Sequence, residues 1–225
     1  YLFGREFNDN AFTGENGAVG DLRDFTLGAR FKGKSSGFDY SVEGVFQTGK
    51  YVDDDIRAWA FAGTLGYTFD MDWKPRVGIE VTHASGDDDP LDGDRGTFDP
   101  LFPFAHFYQG FIDILAWKNS QDFALYFKVA PTDTLTLHLD IHNFWLVEET
   151  DAWYADSGAA IRRDTTGNSD ERVGNEIDLH ARLAAGKFVK FWGGASYFVS
   201  GPFVEDTPGS DRNMLWVFLQ MVVDF

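Results

Sequence analysis

Histidine and aspartate alternate at His138, Asp140 and His142, and His180 falls in a second run of the same spacing. Imidazole and carboxylate are common metal ligands. On an extended strand, however, residues four apart stand about 13 Å from each other, too far for His138 and His142 to share one ion. The expected role is that of polar groups lining a wet surface, with no metal. Acids crowd other stretches: Asp53-Asp54-Asp55, Asp87-Asp88-Asp89, Asp92, Asp94, Asp164, Asp170 and Glu171. Hard oxygens at that density suit Ca2+, and Ca2+ at these acidic loops is the one cofactor the sequence suggests, although the EF-hand pattern is absent. No serine sits in a Gly-x-Ser-x-Gly elbow and no glycine-rich phosphate loop follows a strand. The nearest approach to a hydrolytic set is His83 with Asp87 or Asp88, so no enzyme is expected.

The elements that position these groups follow from composition and period. The 225 residues include 23 Phe, 24 Gly and 7 Trp, no Cys, and a formal charge of −17. That charge repels nucleic-acid phosphates, and the absence of Cys excludes disulfides and zinc-thiolate sites. Mean hydropathy is −0.27, and no run approaches the roughly 18 apolar residues of a spanning helix. The recurring period is two. Phe25, Leu27, Ala29 and Phe31 alternate with Thr26, Gly28, Arg30 and Lys32, and Phe38, Tyr40, Val42 and Phe46 alternate with Asp39, Ser41, Glu43 and Gln47. The same alternation predicts strands over 56–69, 76–84, 121–130, 135–148, 175–185, 189–200 and 213–225. With a fragment at 1–8, about ten strands are expected.

A soluble sandwich shares such alternation. Two features point instead to a transmembrane antiparallel up-and-down β-barrel. Short connections (33–37, 70–75, 131–134, 186–188) alternate with long ones rich in Asp, Gly, Ser and Thr (87–106, 150–174, 201–212), as tight periplasmic turns and longer outer loops do. Aromatics also gather near strand ends (Tyr67, Phe69, Trp73; Trp145, Trp153, Tyr154), where amphipathic rings favour a bilayer interface. The last strand alternates Leu215, Val217, Leu219, Met221 and Val223 with Trp216, Phe218, Gln220 and Val222, and the chain stops on Phe225. A terminal Phe closing such a strand resembles the assembly signal of bacterial outer-membrane barrels. Residues 107–120 fit as a strand extension, a short helix or a loop folded toward the pore. The chain opens mid-pattern at Tyr1-Leu2-Phe3, and N-terminal strands of a longer barrel are expected to precede this single 1–225 domain.

Parity then assigns the lumen. Its basic positions are Arg30, Lys32, Arg76, Lys128, Arg182 and Lys190; its acidic ones are Asp39, Glu43, Glu80, Asp113, Asp140, Glu176, Asp178 and Asp224. Charged rings set selectivity in pores, and Arg grips carboxylates in bidentate fashion. The group reads either as a ladder guiding an acidic solute or as cross-strand pairs that stiffen the wall. Acids outnumber bases, which leaves cations and neutral sugars open.

Several stretches resemble the alginate-export family of outer-membrane barrels: Ser85-Gly86-Asp87, Asp92-Gly93-Asp94, Thr97 to Pro103, Tyr108 to Asp113, Trp117-Lys118-Asn119, His142 to Leu146, Asp151 to Tyr154, and Gly174 to Leu179. The resemblance covers roughly 80–225, with 1–80 matching only as barrel pattern. It implies about the C-terminal half of an 18-stranded porin of Gram-negative bacteria, exporting an anionic polysaccharide through a basic lumen. The expected partners are outer-membrane lipid and lipopolysaccharide, a saccharide or small polar solute, and a periplasmic or lumenal protein. The turn at 186–188 is short where the family's alginate exporter carries a long periplasmic plug, and this half is acidic, so the solute stays open. The alternative is a structural barrel that sheathes a partner protein or is plugged by its own segment.

Overall fold

The computed structural model describes residues 1–103 and 108–225, and all side chains among them except that of Asp9. The period-two segments form β1 (Leu2–Thr13), β2 (Val19–Ser35), β3 (Phe38–Tyr51), β4 (Asp54–Thr68), β5 (Arg76–Ala84), β7 (Ser120–Thr132), β8 (Leu135–Leu146), β11 (Arg172–Ala184), β12 (Val189–Ser200) and β13 (Met214–Val223). These ten pair in the order β1-β2-β3-β4-β5-β7-β8-β11-β12-β13, each antiparallel to the next among the described residues. β1 and β13 are the edges of this up-and-down sheet. Short β6 (Asp94–Arg95) lies parallel beside β4, and β9 (Ala152–Tyr154) pairs with β10 (Ala160–Arg163) as a separate hairpin. No helix among the described residues is long and apolar enough to cross a membrane.

The two faces of the sheet are reversed relative to a water-soluble protein. Outward-pointing Phe31, Leu179 and Leu219 are 68%, 60% and 78% exposed, while inward-pointing Glu176 and Asp178 are 0% and 1% exposed. Withdrawing a Leu or Phe from water is worth about 1.5–3 kcal/mol per side chain. A whole face of them, with charges turned inward, is stable only against hydrocarbon. Between the two edge strands, backbone N–H and C=O groups find partners in the ladders, as a spanning strand requires.

From β5 onward short and long connections alternate as expected, whereas β3 and β4 are joined by Val52 and Asp53 alone. At one end Ser36 and Gly37 link β2 to β3 with positive φ at both residues (51° and 86°), the two-residue geometry that follows the strands' own twist. Phe69, Trp73 and Phe188 stand exposed at this end, where interfacial rings are favoured. At the other end are the long β5–β7 and β8–β11 connections and the β12–β13 link, which contains α1 (Pro202–Asp206). Trp153 and Tyr154 do not serve as interface anchors: both are 7% exposed, buried in β9 beneath the loops.

The segment 96–119 folds inward rather than extending a strand. Of the alternatives for 107–120 the loop toward the pore is the one found, and the portion on residues 104–107 lies outside the described residues. Asp113 accordingly sits on this segment, with φ 59°, and not on the strand wall to which strict alternation assigned it. Ile114 and Leu115 pack with Phe144, Leu146, Val173 and Phe198 of the wall and with Phe203 and Val204 of α1. The apolar core therefore sits inside the sheet, between wall and loop.

Leu179 lies near the middle of β11 on the outer face. Leu179→Arg should lower unfolding stability in lipid vesicles by about 2–4 kcal/mol, measured by urea titration. A negligible change would mean that this face meets water.

Candidate functional site: the inner wall and the segment it holds

The inner wall is built from the polar half of each alternating strand. Arg76 of β5 grips Asp39 of β3 with two hydrogen bonds, Nε to Oδ2 at 2.8 Å and Nη2 to Oδ1 at 2.6 Å. Arg30 donates to Ser41 Oγ at 3.0 Å and stands 3.8 Å from Glu43, and Lys190 pairs with Asp224 at 2.7 Å. The Arg182 guanidinium lies over the Trp192 ring, 4.4 Å from its centroid. Lys32 lies opposite Ser41, and Lys128 falls between Arg76 and His138 in register. Phe225 is exposed beyond β13, where the Asp224 N–H continues the ladder by donating to the Phe188 carbonyl.

An acidic band crosses the middle of the wall. Tyr126 donates to Glu80 at 2.9 Å, and His142 Nδ1 lies 2.6 Å from Asp122 Oδ2 while its Nε2 is 3.8 Å from Asp178. Ligand-type atoms of His138, Asp140 and His180 lie within 4.8 Å of one another, an association across strands that spacing within one strand does not reveal. Their hydrogen bonds define the proton positions. Trp192 Nε1 donates to His180 Nδ1 at 3.1 Å, so the His180 proton sits on Nε2, 3.2 Å from Asp140 Oδ2. A metal-bound imidazole has the opposite arrangement, with the far nitrogen donating outward. The three groups engage one another and the stacked rings of His138 and His180 (4.4 Å apart).

The inserted segment is held at two anchors. At the first, Gln47 clasps the Asp99 backbone, its Oε1 accepting from N at 2.9 Å and its Nε2 donating to O at 2.7 Å. The Asp99 carboxylate receives Arg5 at 2.8 Å and Lys118 at 3.0 Å. At the second, Glu176 Oε1 accepts the successive N–H groups of Phe111 (2.7 Å) and Ile112 (2.9 Å). Gly110 makes this possible: its φ is +74°, and a Cβ there would lie 2.6 Å from Glu176 Oε1. Consecutive N–H groups turned toward one anion form a concave donor site. The Phe111 ring packs against His180, Trp192 and Phe218 at 4.7, 5.4 and 5.6 Å. Sequence alternation places Glu176 on the wall but carries no sign of this long-range partner. The Gly110-Phe111 dipeptide was the one available hint.

Above the segment, the loops meet at Asp151. Its carboxylate accepts from the Asp87 and Ala152 backbone N–H groups, Thr97, Tyr154 and Arg163. Burial, then the nearby Glu15 and Asp151 charges, push the Asp87 carboxyl up to about 7. Asp164 is engaged otherwise: hydrogen bonds from Thr166 and Ser169 hold its carboxyl well below the ordinary range. His83 stacks on Trp59 at 4.4 Å on the outward side, away from the buried Asp87, so the nearest hydrolytic set is not assembled.

An up-and-down sheet with an apolar exterior, a charged interior and a loop folded into its concavity is a transmembrane channel wall. The model of the alginate export family matches residues 5–218, and the chain belongs to that family. This is a family of outer-membrane export channels, not of enzymes. Comparison with curated proteins gave no match.

A raised carboxyl favours the folded arrangement below its unfolded pKa and opposes it once pH exceeds the folded value. The packing around Asp87 should therefore loosen as pH rises through about 7. Proteinase K should nick residues 85–95 faster at pH 8 than at pH 5.5, and Asp87→Asn should flatten that difference. Equal cleavage of the native protein at both pH values would contradict the assignment.

Proposed function

We propose that residues 1–225 act as one wall of a passive outer-membrane channel for a polar saccharide, with segment 96–119 narrowing the lumen. The observation that carries this reading is the reversed sheet, apolar outside and charged inside, taken with membership of the export family. Passage down a gradient needs no cofactor and no catalytic group. The solute we favour is uncharged. Arg76 and Lys190 are tied to Asp39 and Asp224, and Glu80, Asp122, Asp140, Glu176 and Asp178 are all buried on the lumen side. Basic groups held in pairs and acids sealed by burial leave an acidic polymer few partners on this wall, which weakens the reading of the lumen arginines as a ladder for an anion. Lipopolysaccharide is the expected neighbour of the acidic outer loops.

A second reading, a barrel plugged by its own segment, is supported by the packing of Ile114 and Leu115 into the core. Single-channel recording of the full-length protein separates the two. The channel reading expects a steady conductance without strong anion preference. Glu176→Ala removes an acceptor of two backbone bonds, each worth about 0.5–1.5 kcal/mol, and should raise that conductance and its noise. A silent native protein that conducts only as Glu176→Ala would favour the plug. Strong anion preference would overturn the neutral-solute reading.

A further inference from the structure

Between the inner face of β1–β3 and the inserted segment lies a cavity of about 400 Å3, within the range of small-molecule sites. Its walls are ring faces: Phe3 of β1 and Phe98, Phe102, Tyr108 and Trp117 of the segment. Phe3 and Phe102 meet edge to face at 5.7 Å, and Trp117 contacts Phe98 at 5.4 Å and Tyr108 at 5.5 Å. One margin is polar, formed by Arg30, Glu43 and Gln109. The Trp117 indole Nε1 is buried and has no hydrogen-bond partner among the described residues. That atom is sealed from the open space of the cavity, so the Trp117 ring, and not its N–H, is what a ligand there meets.

We propose that this cavity is a binding subsite for one pyranose ring of the saccharide in transit, stacked on Trp117 and Phe102. The inference rests on the channel reading and names the part of the lumen that touches solute. The chemistry fits one class of ligand. A pyranose presents a face of C–H groups to an aromatic ring and a rim of hydroxyls to polar partners. The cavity offers both: aromatic walls, and at its edge a guanidinium, a carboxylate and an amide. A purely apolar molecule would leave the polar margin unpaired, and a small inorganic ion would leave the rings without a partner. The site lies on the lumen side of the wall, so a solute passing the narrowed region meets it. It differs from a charge ladder in that recognition comes from ring faces and does not need an acidic sugar.

The test is sugar-induced blockade of single channels formed by the full-length protein in planar bilayers, with maltohexaose as the neutral probe and a galacturonate hexamer as the acidic one. Phe102 is 77% exposed, so Phe102→Ala should leave the fold intact, and blockade of each variant is read relative to its own sugar-free conductance. Trp117→Phe keeps one aromatic ring but removes the second ring of the indole and its N–H. Loss of stacking area should weaken blockade by maltohexaose about three- to tenfold for each variant, while Phe31→Ala on the outer face should leave it unchanged. If maltohexaose blocks the native channel and both variants equally, the subsite is wrong and the channel reading stands. If an open native channel is blocked by neither sugar, saccharide passage fails and the subsite with it. Should Trp117→Phe not assemble, Phe102→Ala decides alone.

Discussion

In hydrocarbon a backbone N–H or C=O without a partner is too costly to keep, and chain segments cross only where every such group is paired. For strands that means neighbour-to-neighbour ladders, and the rest of this structure follows from meeting that demand. The β2–β3 ladder runs unbroken from Leu22–Tyr51 to Ser35–Phe38, and the β11–β12 ladder from Gly174–Ser200 to Ala184–Lys190. Once the ladders set the strands side by side, alternate residues have only two environments. Phe31, Leu179 and Leu219 go to the side where lipid receives them, and Asp39, Glu43 and Asp178 go to the side where it does not.

A charged interior creates its own problem, because ionised groups held close together need partners. The wall meets this partly within itself, through Arg76 with Asp39 and His142 with Asp122. It also uses the inserted segment. Glu176 and Gln47 satisfy backbone that would otherwise enter the lumen with bare polar groups, and Arg5 and Lys118 converge on Asp99. The segment is thus a continuation of the wall's hydrogen bonding, with Ile114 and Leu115 supplying the apolar contact that fixes its upper half. What solute can pass is then set by a surface that strands and loop share.

Much of this was legible in the alternation of residues. The strands 76–84 and 189–200 were read at their observed limits, and others within a few residues, because a side-chain period of two admits one register per face. The lumen assignment of Arg30, Arg76 and Glu80 rests on the same parity. What was not legible are the contacts that parity does not encode. The Glu176 bonds to Phe111 and Ile112 join residues 65 and 64 apart, and periodicity places no constraint on a loop's return path. Trp153 and Tyr154 looked like interface anchors because aromatic residues at strand ends usually are, yet a donor bond from Trp153 Nε1 to the Ile114 carbonyl at 2.6 Å draws that ring beneath the loops. His138 and His180 are brought together by cross-strand pairing, which spacing along one strand conceals.

The central claim is that the polar wall holds segment 96–119 inside the lumen through backbone hydrogen bonds. The most direct measurement is amide hydrogen exchange of the full-length protein in lipid nanodiscs, read at Asp99, Phe111 and Ile112. Those three amides, bonded to Gln47 and Glu176, should exchange far more slowly than exposed loop amides such as those of Ser157 and Gly167. Exchange at the rate of the exposed loop would contradict the account, for the segment would then be free of the wall and the lumen shaped by the strands alone.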